Sequence, residues 1–286
     1  MDETVGLIGL GQMGSALLER LRLADFTPVV YDVNPAAREA ARAQGATVAA
    51  SPAEVARGAT LIHVVVWGDQ DVRDAVMRQD GILVGARPGT LLILHSTIHP
   101  RTTLTIAEVA EASNVSVMDA CMVGIPPVVR EGNVIFLVGG PPELVERVQP
   151  HLLRLGREVL HVGSLGTGNA AKIVKNLVTG AETYVIHEAI QIAEAAGIAY
   201  PDALDMLQRV YSGSMLSHWD RTFDPSGASS IPRMNKDIPR KDLPLARQLA
   251  RELGVEAPIA EQLAAEAQRL WDAAAPAAPG APAPVH

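Results

Sequence analysis

The feature that most constrains this chain is a short apolar run, Thr4 to Leu10, that ends in Gly9-Leu10-Gly11-Gln12-Met13-Gly14 and passes at once into a helical pattern, Gln12 to Leu23. An apolar run without alternation is the pattern of a strand buried on both faces. A strand that turns into a helix through G-x-G-x-x-G has a physical reason for each glycine. The first permits the tight turn, the second lets backbone N–H groups approach a pyrophosphate, and the third lets the helix pack on the strand. The helix N-terminus then offers unsatisfied N–H donors to phosphate charge. The loop therefore predicts a dinucleotide site lined by Gly9, Gly11, Gln12, Met13 and Gly14.

The same alternation continues for about 160 residues. Strand patterns at Thr27–Asp32, Ala46–Ala49, Leu61–Trp67, Thr90–His95, Val115–Asp119 and Val134–Val138 flank helical patterns at Pro35–Gln44, Asp69–Met77 and Pro100–Ala112. Another helix starts at Ser51, with Pro52 at its first position and Glu54 three residues after the cap. Strands alternating with helices imply an α/β fold with a doubly wound parallel sheet. The alternation then stops. Gly168 to Ala196 is one long helical pattern, followed by helical segments near Asp202–Tyr211, Leu243–Leu253 and Pro258–Trp271. The expected organisation is a Rossmann domain over 1–163, an all-α catalytic and oligomerisation domain over 164–274 joined by the long helix, and a disordered Pro/Ala tail over 275–286.

Composition narrows the function classes. The formal charge of −8 argues against a nucleic-acid binder, which needs surplus Lys and Arg. Cys121 is the only cysteine, so the chain has no internal disulfide and no Cys-rich metal site. The histidines are scattered, the one H-x-x-x-H pair, His95 and His99, has no carboxylate at ligand spacing, and no metal is expected. No stretch approaches the ~18 apolar residues of a membrane helix. The opening MDETVGLIGLG has no basic n-region, which points to a cytoplasmic protein.

Asp32 closes the second strand, 18 residues after Gly14, where an acid bonds the adenosine ribose hydroxyls. A carboxylate there repels a 2′-phosphate, and Val33, Asn34 and Pro35 supply no cation. NAD is expected over NADP, with Arg38 the one residue able to soften that choice by folding back.

Four motifs in order resemble the β-hydroxyacid dehydrogenase family, the group of 3-hydroxyisobutyrate dehydrogenase and tartronate semialdehyde reductase. They are the GLIGLGQMG start, the Ser-Thr-x-x-Pro stretch Ser96–Pro100, the segment Gly166-Thr167-Gly168 with Lys172 and Asn176, and Lys241-Asp242-Leu243 followed by Leu245-Ala246 and Pro258. The resemblance implies an NAD(P)-dependent enzyme moving a hydride between the nicotinamide and a β-hydroxy acid or related alcohol or aldehyde. It places Ser96 and Thr97 near the nicotinamide, Lys241 against the cofactor, and Lys172 in proton transfer, and it implies a homodimer or homotetramer. Independently of the family, Lys172 and Asn176 are four apart on a helix and share a face. A lysine near a helix N-terminus meets the positive end of the dipole, which favours a group that gives up its proton. Asn176 would orient the substrate or the lysine.

One stretch departs from the family. Its usual Asp-Ala-Pro-Val-Ser-Gly-Gly reads here Asp119-Ala120-Cys121-Met122-Val123-Gly124-Ile125. Val123 stands at the serine and Ile125 at the last glycine, while Gly124 still lets a backbone N–H approach a substrate. Losing a hydrogen bond to a substrate carboxylate costs on the order of 1.5–3 kcal/mol, so Val123 and Gly124 suit a less polar or bulkier substrate than a short hydroxy acid. Arg130, His218, Trp219 and Arg221 are candidates to compensate. Two other functions compete: imine reduction, and an NAD-binding sensor without turnover. Retention of Lys172 argues against the first, and of Lys172 with Asn176 against the second. The long helix is apolar on several sides, through Ile173, Val174, Leu177, Val178, Ala181, Val185 and Ile186, as expected of burial against a second subunit or within its own helical domain.

Overall fold

The computed structural model describes residues 4–195, 197–210, 237–254 and 257–274. The chain forms two compact units, Met1–Lys172 and Ile173–His286. The segment with His218, Trp219 and Arg221, and the 275–286 tail, lie outside the described residues.

The first unit is built on an eight-stranded sheet. Its strands are β1 (Val5–Ile8), β2 (Val29–Tyr31), β3 (Thr47–Val48), β4 (Leu61–Val64), β5 (Leu91–Leu94), β6 (Ser116–Val123), β7 (Ile135–Gly139) and β8 (Glu158–Gly163), in the order β3-β2-β1-β4-β5-β6-β7-β8. The helices between them are α1 (Gln12–Leu23), α2 (Pro35–Ala43), α3 (Pro52–Gly58), α4 (Asp69–Met77), α5 (Ile82–Gly85), α6 (Pro100–Glu111), α7 (Pro126–Arg130) and α8 (Pro142–Leu155). Both faces of the sheet are covered. Leu7, Ile93, Met118 and Phe136 pack on one side with Leu17, Leu21 and Leu152, while Ile8, Ile62, Val64 and Leu92 pack on the other with Val55, Ile98 and Ile106. This double burial is why the central strands read as unbroken apolar runs.

The sheet is parallel through β6, but β7 runs antiparallel to β6 and β8 parallel to β7. The sequence suggested parallel strands throughout. The link from β6 to β7 spans only residues 124–134 and includes the short α7, less than a parallel crossover requires. Helix α8 and strand β8 had no clear signal in the sequence. Pro150 interrupts the α8 pattern, although Val145, Val148, Leu152 and Leu155 form its buried stripe. Strand β8 is largely exposed at the sheet edge.

The second unit is helical throughout its described residues. The division falls inside the long helix α9 (Thr167–Ala195), which is followed by α10 (Tyr200–Val210), α11 (Asp237–Glu252) and α12 (Pro258–Ala274). Ile190 packs with Ile186, Tyr200, Leu204 and Leu207. Leu243, Ala264 and Ala267 pack with Leu177, Tyr184 and Leu263. Among the described residues no helix is long and apolar enough to cross a membrane, and no His, Cys, Asp and Glu group is arranged to hold a metal.

A polar chain runs through the apolar layer of the first unit. His63 on β4 contacts His95, just after β5, through Nδ1···Nε2 at 2.7 Å, and His151 on α8 through Nε2···Nε2 at 3.0 Å. His95 Nδ1 lies 2.6 Å from the Ala120 carbonyl oxygen. That oxygen only accepts, so His95 donates from Nδ1 and accepts at Nε2. His63 must then donate from Nδ1 and accept at Nε2, and His151 must donate from Nε2. One carbonyl thus sets the tautomers of three buried neutral rings.

Burial and the neighbouring imidazoles push His63 well below its ordinary value, and burial brings His95 to about 4. The unfolded chain takes up protons near 6.5, where the folded chain does not. Stability from these groups is therefore complete above pH 6.5 and is lost as pH falls from there toward about 4. Thermal unfolding between pH 7.5 and 4.5 should show the midpoint falling with acid, and falling less steeply in a His95→Gln protein. Parallel slopes for the two proteins would contradict the assignment.

Candidate active site

The glycine loop leaves β1 at the C-terminal edge of the sheet. Gly9 has φ of 96°, and its N–H donates to the Tyr31 carbonyl at 2.9 Å. A Cβ on Gly9 would lie 2.1 Å from the Val65 carbonyl oxygen, and one on Gly14 would lie 2.0 Å from the Gly9 oxygen. Both positions are therefore closed to any side chain by the protein's own backbone. Gly11 differs: a Cβ there meets no protein atom within 4 Å. Gly11 caps α1 without a side-chain hydrogen bond, and the first turn, with Gln12 and Met13, carries no acid. A backbone kept bare at a helix start, with its N–H donors left to another group, fits the pyrophosphate of a dinucleotide.

Asp32 sits beyond β2 and binds the loop directly. Its Oδ2 accepts the Leu10 N–H at 2.6 Å, and its Oδ1 accepts the Asn34 N–H at 2.7 Å. Arg38 folds back onto this corner. Its Nη1 donates to the Asp32 carbonyl at 2.6 Å, and its guanidinium lies 5.6 Å from the centre of the Tyr31 ring. A carboxylate and a guanidinium thus share the corner beside the glycine loop.

The Ser96 hydroxyl is occupied by structure. It donates to the Val66 carbonyl at 2.7 Å and accepts the Val66 N–H at 3.0 Å, tying the ends of β4 and β5 together. Thr97, next to it, is half-buried. Ile98 N–H donates to Asn169 Oδ1 at 3.0 Å, so this stretch is fastened to the start of α9.

Strand β6 carries the altered motif to its tip, where Val123 is half-buried and pairs with Ile135. Lys172 reaches back from α9 to this tip, its Nζ donating to the Met122 carbonyl at 2.6 Å. The lysine therefore stands one residue from Val123 and two from Gly124. Asn176 lies one turn further along α9. Its Nδ2 donates to Asp242 Oδ2 at 2.6 Å, and Asp242 Oδ1 is 3.2 Å from Lys241 Nζ. One buried carboxylate thus holds both Asn176 and Lys241, and fixes which way the Asn176 amide faces. Lys175, beside Asn176, is pushed down by burial, against the pull of Asp242 and Glu182.

Some sequence expectations change. Arg130 does not turn toward the altered loop but pairs with Glu19 at 2.8 Å, fastening α7 to α1. The N-terminal turn of α9 does not present a bare dipole to Lys172, because the Asp119 carboxylate caps it by accepting the N–H groups of Gly166 and Asn169. Asp119, Asn169 and Asp242 were missed as site residues. Asp119 opens the altered stretch and Asp242 lies inside the Lys-Asp-Leu motif, so both were in view. Nothing local distinguishes a buried anchoring carboxylate from a solvated one.

A glycine loop at the carboxyl edge of a mainly parallel sheet, with a lysine drawn onto the tip of β6, fits a dinucleotide-dependent oxidoreductase. The family described as the NAD binding domain of 6-phosphogluconate dehydrogenase matches residues 4–163, and the one described as NAD-binding of NADP-dependent 3-hydroxyisobutyrate dehydrogenase matches residues 166–282. The 3-sulfolactaldehyde reductase of Escherichia coli K12 is 30% identical over 257 residues, covering 89% of this chain and 86% of that protein. A probable mitochondrial 3-hydroxyisobutyrate dehydrogenase of Dictyostelium discoideum is 32% identical over 197 residues; the match spans 69% of this chain but only 61% of that relative. The crystal structure of 3-hydroxyisobutyrate dehydrogenase from Salmonella typhimurium superposes with a TM-score of 0.85 at 26% identity, covering 96% of this chain and 95% of that one. The chain belongs to the β-hydroxyacid dehydrogenase family and is an NAD(P)-dependent oxidoreductase acting on CH–OH groups.

The glycines separate folding from binding. Gly14→Ala should destabilise the protein by about 3 kcal/mol or prevent folding, since backbone must move. Gly11→Ala should leave the thermal midpoint unchanged but weaken NADH binding about tenfold or more, by titration of its fluorescence. Equal NADH affinity in the Gly11→Ala protein would remove the loop from the cofactor site.

Proposed function

We propose that this enzyme interconverts a hydroxy acid or related alcohol and the corresponding carbonyl compound, with Lys172 as the group that takes and returns the hydroxyl proton. The observation that carries the reading is the Lys172 Nζ bond to the Met122 carbonyl, which sets the lysine beside Val123 and Gly124 at the tip of β6. The nicotinamide, when bound, accepts or supplies the hydride. The chain's own work is to hold the proton donor and the substrate carbon in one place. Asn176 orients the substrate or the lysine, its amide held by Asp242. For Thr97 as a nicotinamide neighbour, and for Lys241 as a cofactor residue, the motifs alone provide the support.

The substrate is a small molecule with an apolar group where family members carry a polar one. Val123 replaces a hydroxyl donor and Ile125 replaces a glycine, while Gly124 keeps a backbone N–H within reach. NAD is the preferred dinucleotide because the Asp32 carboxylate stands at the ribose end. Arg38, donating to the Asp32 carbonyl, is the residue that would admit a 2′-phosphate. The enzyme works as a homodimer or homotetramer: Val174, Val178 and Val185 on α9 are each more than half exposed. A single reduced and buried Cys121 suits the cytoplasm.

The test is NADH formation from NAD with a panel of short and branched hydroxy acids and alcohols. Lys172→Ala should lower kcat by roughly 10²–10⁴-fold with NADH affinity unchanged. Turnover that survives intact in this variant would remove Lys172 from the mechanism. Val123→Ser should raise kcat/KM for short polar hydroxy acids by about tenfold and lower it for branched ones, one recovered hydrogen bond being worth about 1.4 kcal/mol. An unchanged ranking across the panel would show that position 123 does not face the substrate.

A further inference from the structure

The start of α9 is held by an arrangement larger than a helix cap. Asp119 lies fully buried on β6, four residues before Val123. Its Oδ1 accepts the Gly166 N–H at 2.7 Å and its Oδ2 accepts the Asn169 N–H at 2.7 Å. The surroundings are shaped to admit this carboxylate. A Cβ on Gly168 would lie 2.8 Å from Asp119 Oδ2 and 2.5 Å from the Leu137 oxygen, and one on Gly139 would lie 2.6 Å from Asp119 Oδ1. Burial pushes the Asp119 carboxyl up, and the N–H bonds from Gly166 and Asn169 oppose it. With both oxygens accepting, the group sits there as a carboxylate.

Asn169 extends the anchor. Its Oδ1 accepts the Ile98 N–H at 3.0 Å and lies 3.4 Å from the Cys121 sulfur, and its Nδ2 donates to Thr103 Oγ1 at 3.1 Å. Lys172 follows Asn169 by three residues, on the same side of the helix, and returns to β6 at Met122. A closed ring results. It runs from Asp119 across to the first turn of α9, along that turn to Lys172, back to Met122, and down the strand to Asp119.

We propose that Asp119 is a positioning residue for the reaction: by pinning the first turn of α9 to β6 it sets where the Lys172 amine stands relative to residues 123 and 124. This rests on the assignment of Lys172 made above. A cap that only stabilised the helix would need one acceptor at the helix start. Here both accepting ends of the ring, the Asp119 carboxylate and the Met122 carbonyl, lie on one strand, three residues apart, so a shift of the helix turn moves the amine against the strand tip. A misplacement of about 1 Å can cost on the order of 10²-fold in rate.

The test is a double-mutant cycle on the full-length protein, with NAD varied up to saturation at a saturating concentration of the best substrate of the panel. It compares the parent, Asp119→Asn, Lys172→Ala and the double variant. If Asp119 acts through Lys172, Asp119→Asn lowers kcat by about 10²-fold with the KM for NAD within about threefold, and costs less than about twofold once Lys172 is gone. An equal loss in both backgrounds, or unchanged kcat in the presence of Lys172, overturns the proposal and leaves Asp119 a structural cap. Should Asp119→Asn not accumulate as folded protein, Asp119→Ser, which is smaller and keeps one acceptor, replaces it in the cycle. Failure of the Lys172 assignment shows separately, as Lys172→Ala alone retaining parental turnover.

Discussion

A sheet buried on both faces dictates where this protein can put chemistry. Its central strands are packed between two apolar layers, and every backbone group there is spent on the ladder. Polar groups inside those layers must be paired at once, because an unpaired buried donor or acceptor costs about 1–3 kcal/mol. The glycine loop, Asp32, Ser96, Val123 and Gly124 all lie where strands end. The parallel direction of β1 to β6 brings most of these ends to one edge, and reach from α9 brings Lys172 to the same edge through the Met122 carbonyl.

Several interior polar groups are met by partners in this way. Three histidines cross the apolar layer by forming a single directional chain that ends on the Ala120 carbonyl. Asp119 is accepted because two backbone N–H groups meet it, and because Gly139 and Gly168 leave room for the approach. Asp242 is accepted because Asn176 and Lys241 meet it. In the last two cases the pairing also orients residues assigned to the reaction. Anchoring and orientation follow from the same electrostatic need.

The departure from the family's Asp-Ala-Pro-Val-Ser-Gly-Gly stretch lies where β6 ends. Val123 closes β6 and Ile125 caps α7 just beyond it, while β6 pairs with β5 through Asp119 and with β7 through Val123. Side chains at the tip can thus change without disturbing the contacts through Asp119.

The sequence by itself determined the fold class, the glycine loop, the change from alternating to all-helical structure, and the identity of the lysine motif. These are local signals: periodicity, glycines at fixed offsets, and residue spacing on one helix. It suggested a parallel sheet throughout, because apolar runs do not encode strand direction. The antiparallel β7 followed from a connection too short to cross over. Arg130 read as a candidate to hold an anion or as an ordinary surface residue, and Glu19, far away in the chain, pairs with it. Asp119, Asn169 and Asp242 are ordinary polar residues in the sequence, and the histidines looked scattered. Only tertiary structure decided their roles, because burial and pairing arise between segments separated by 25 to 88 residues, and no local pattern carries that information.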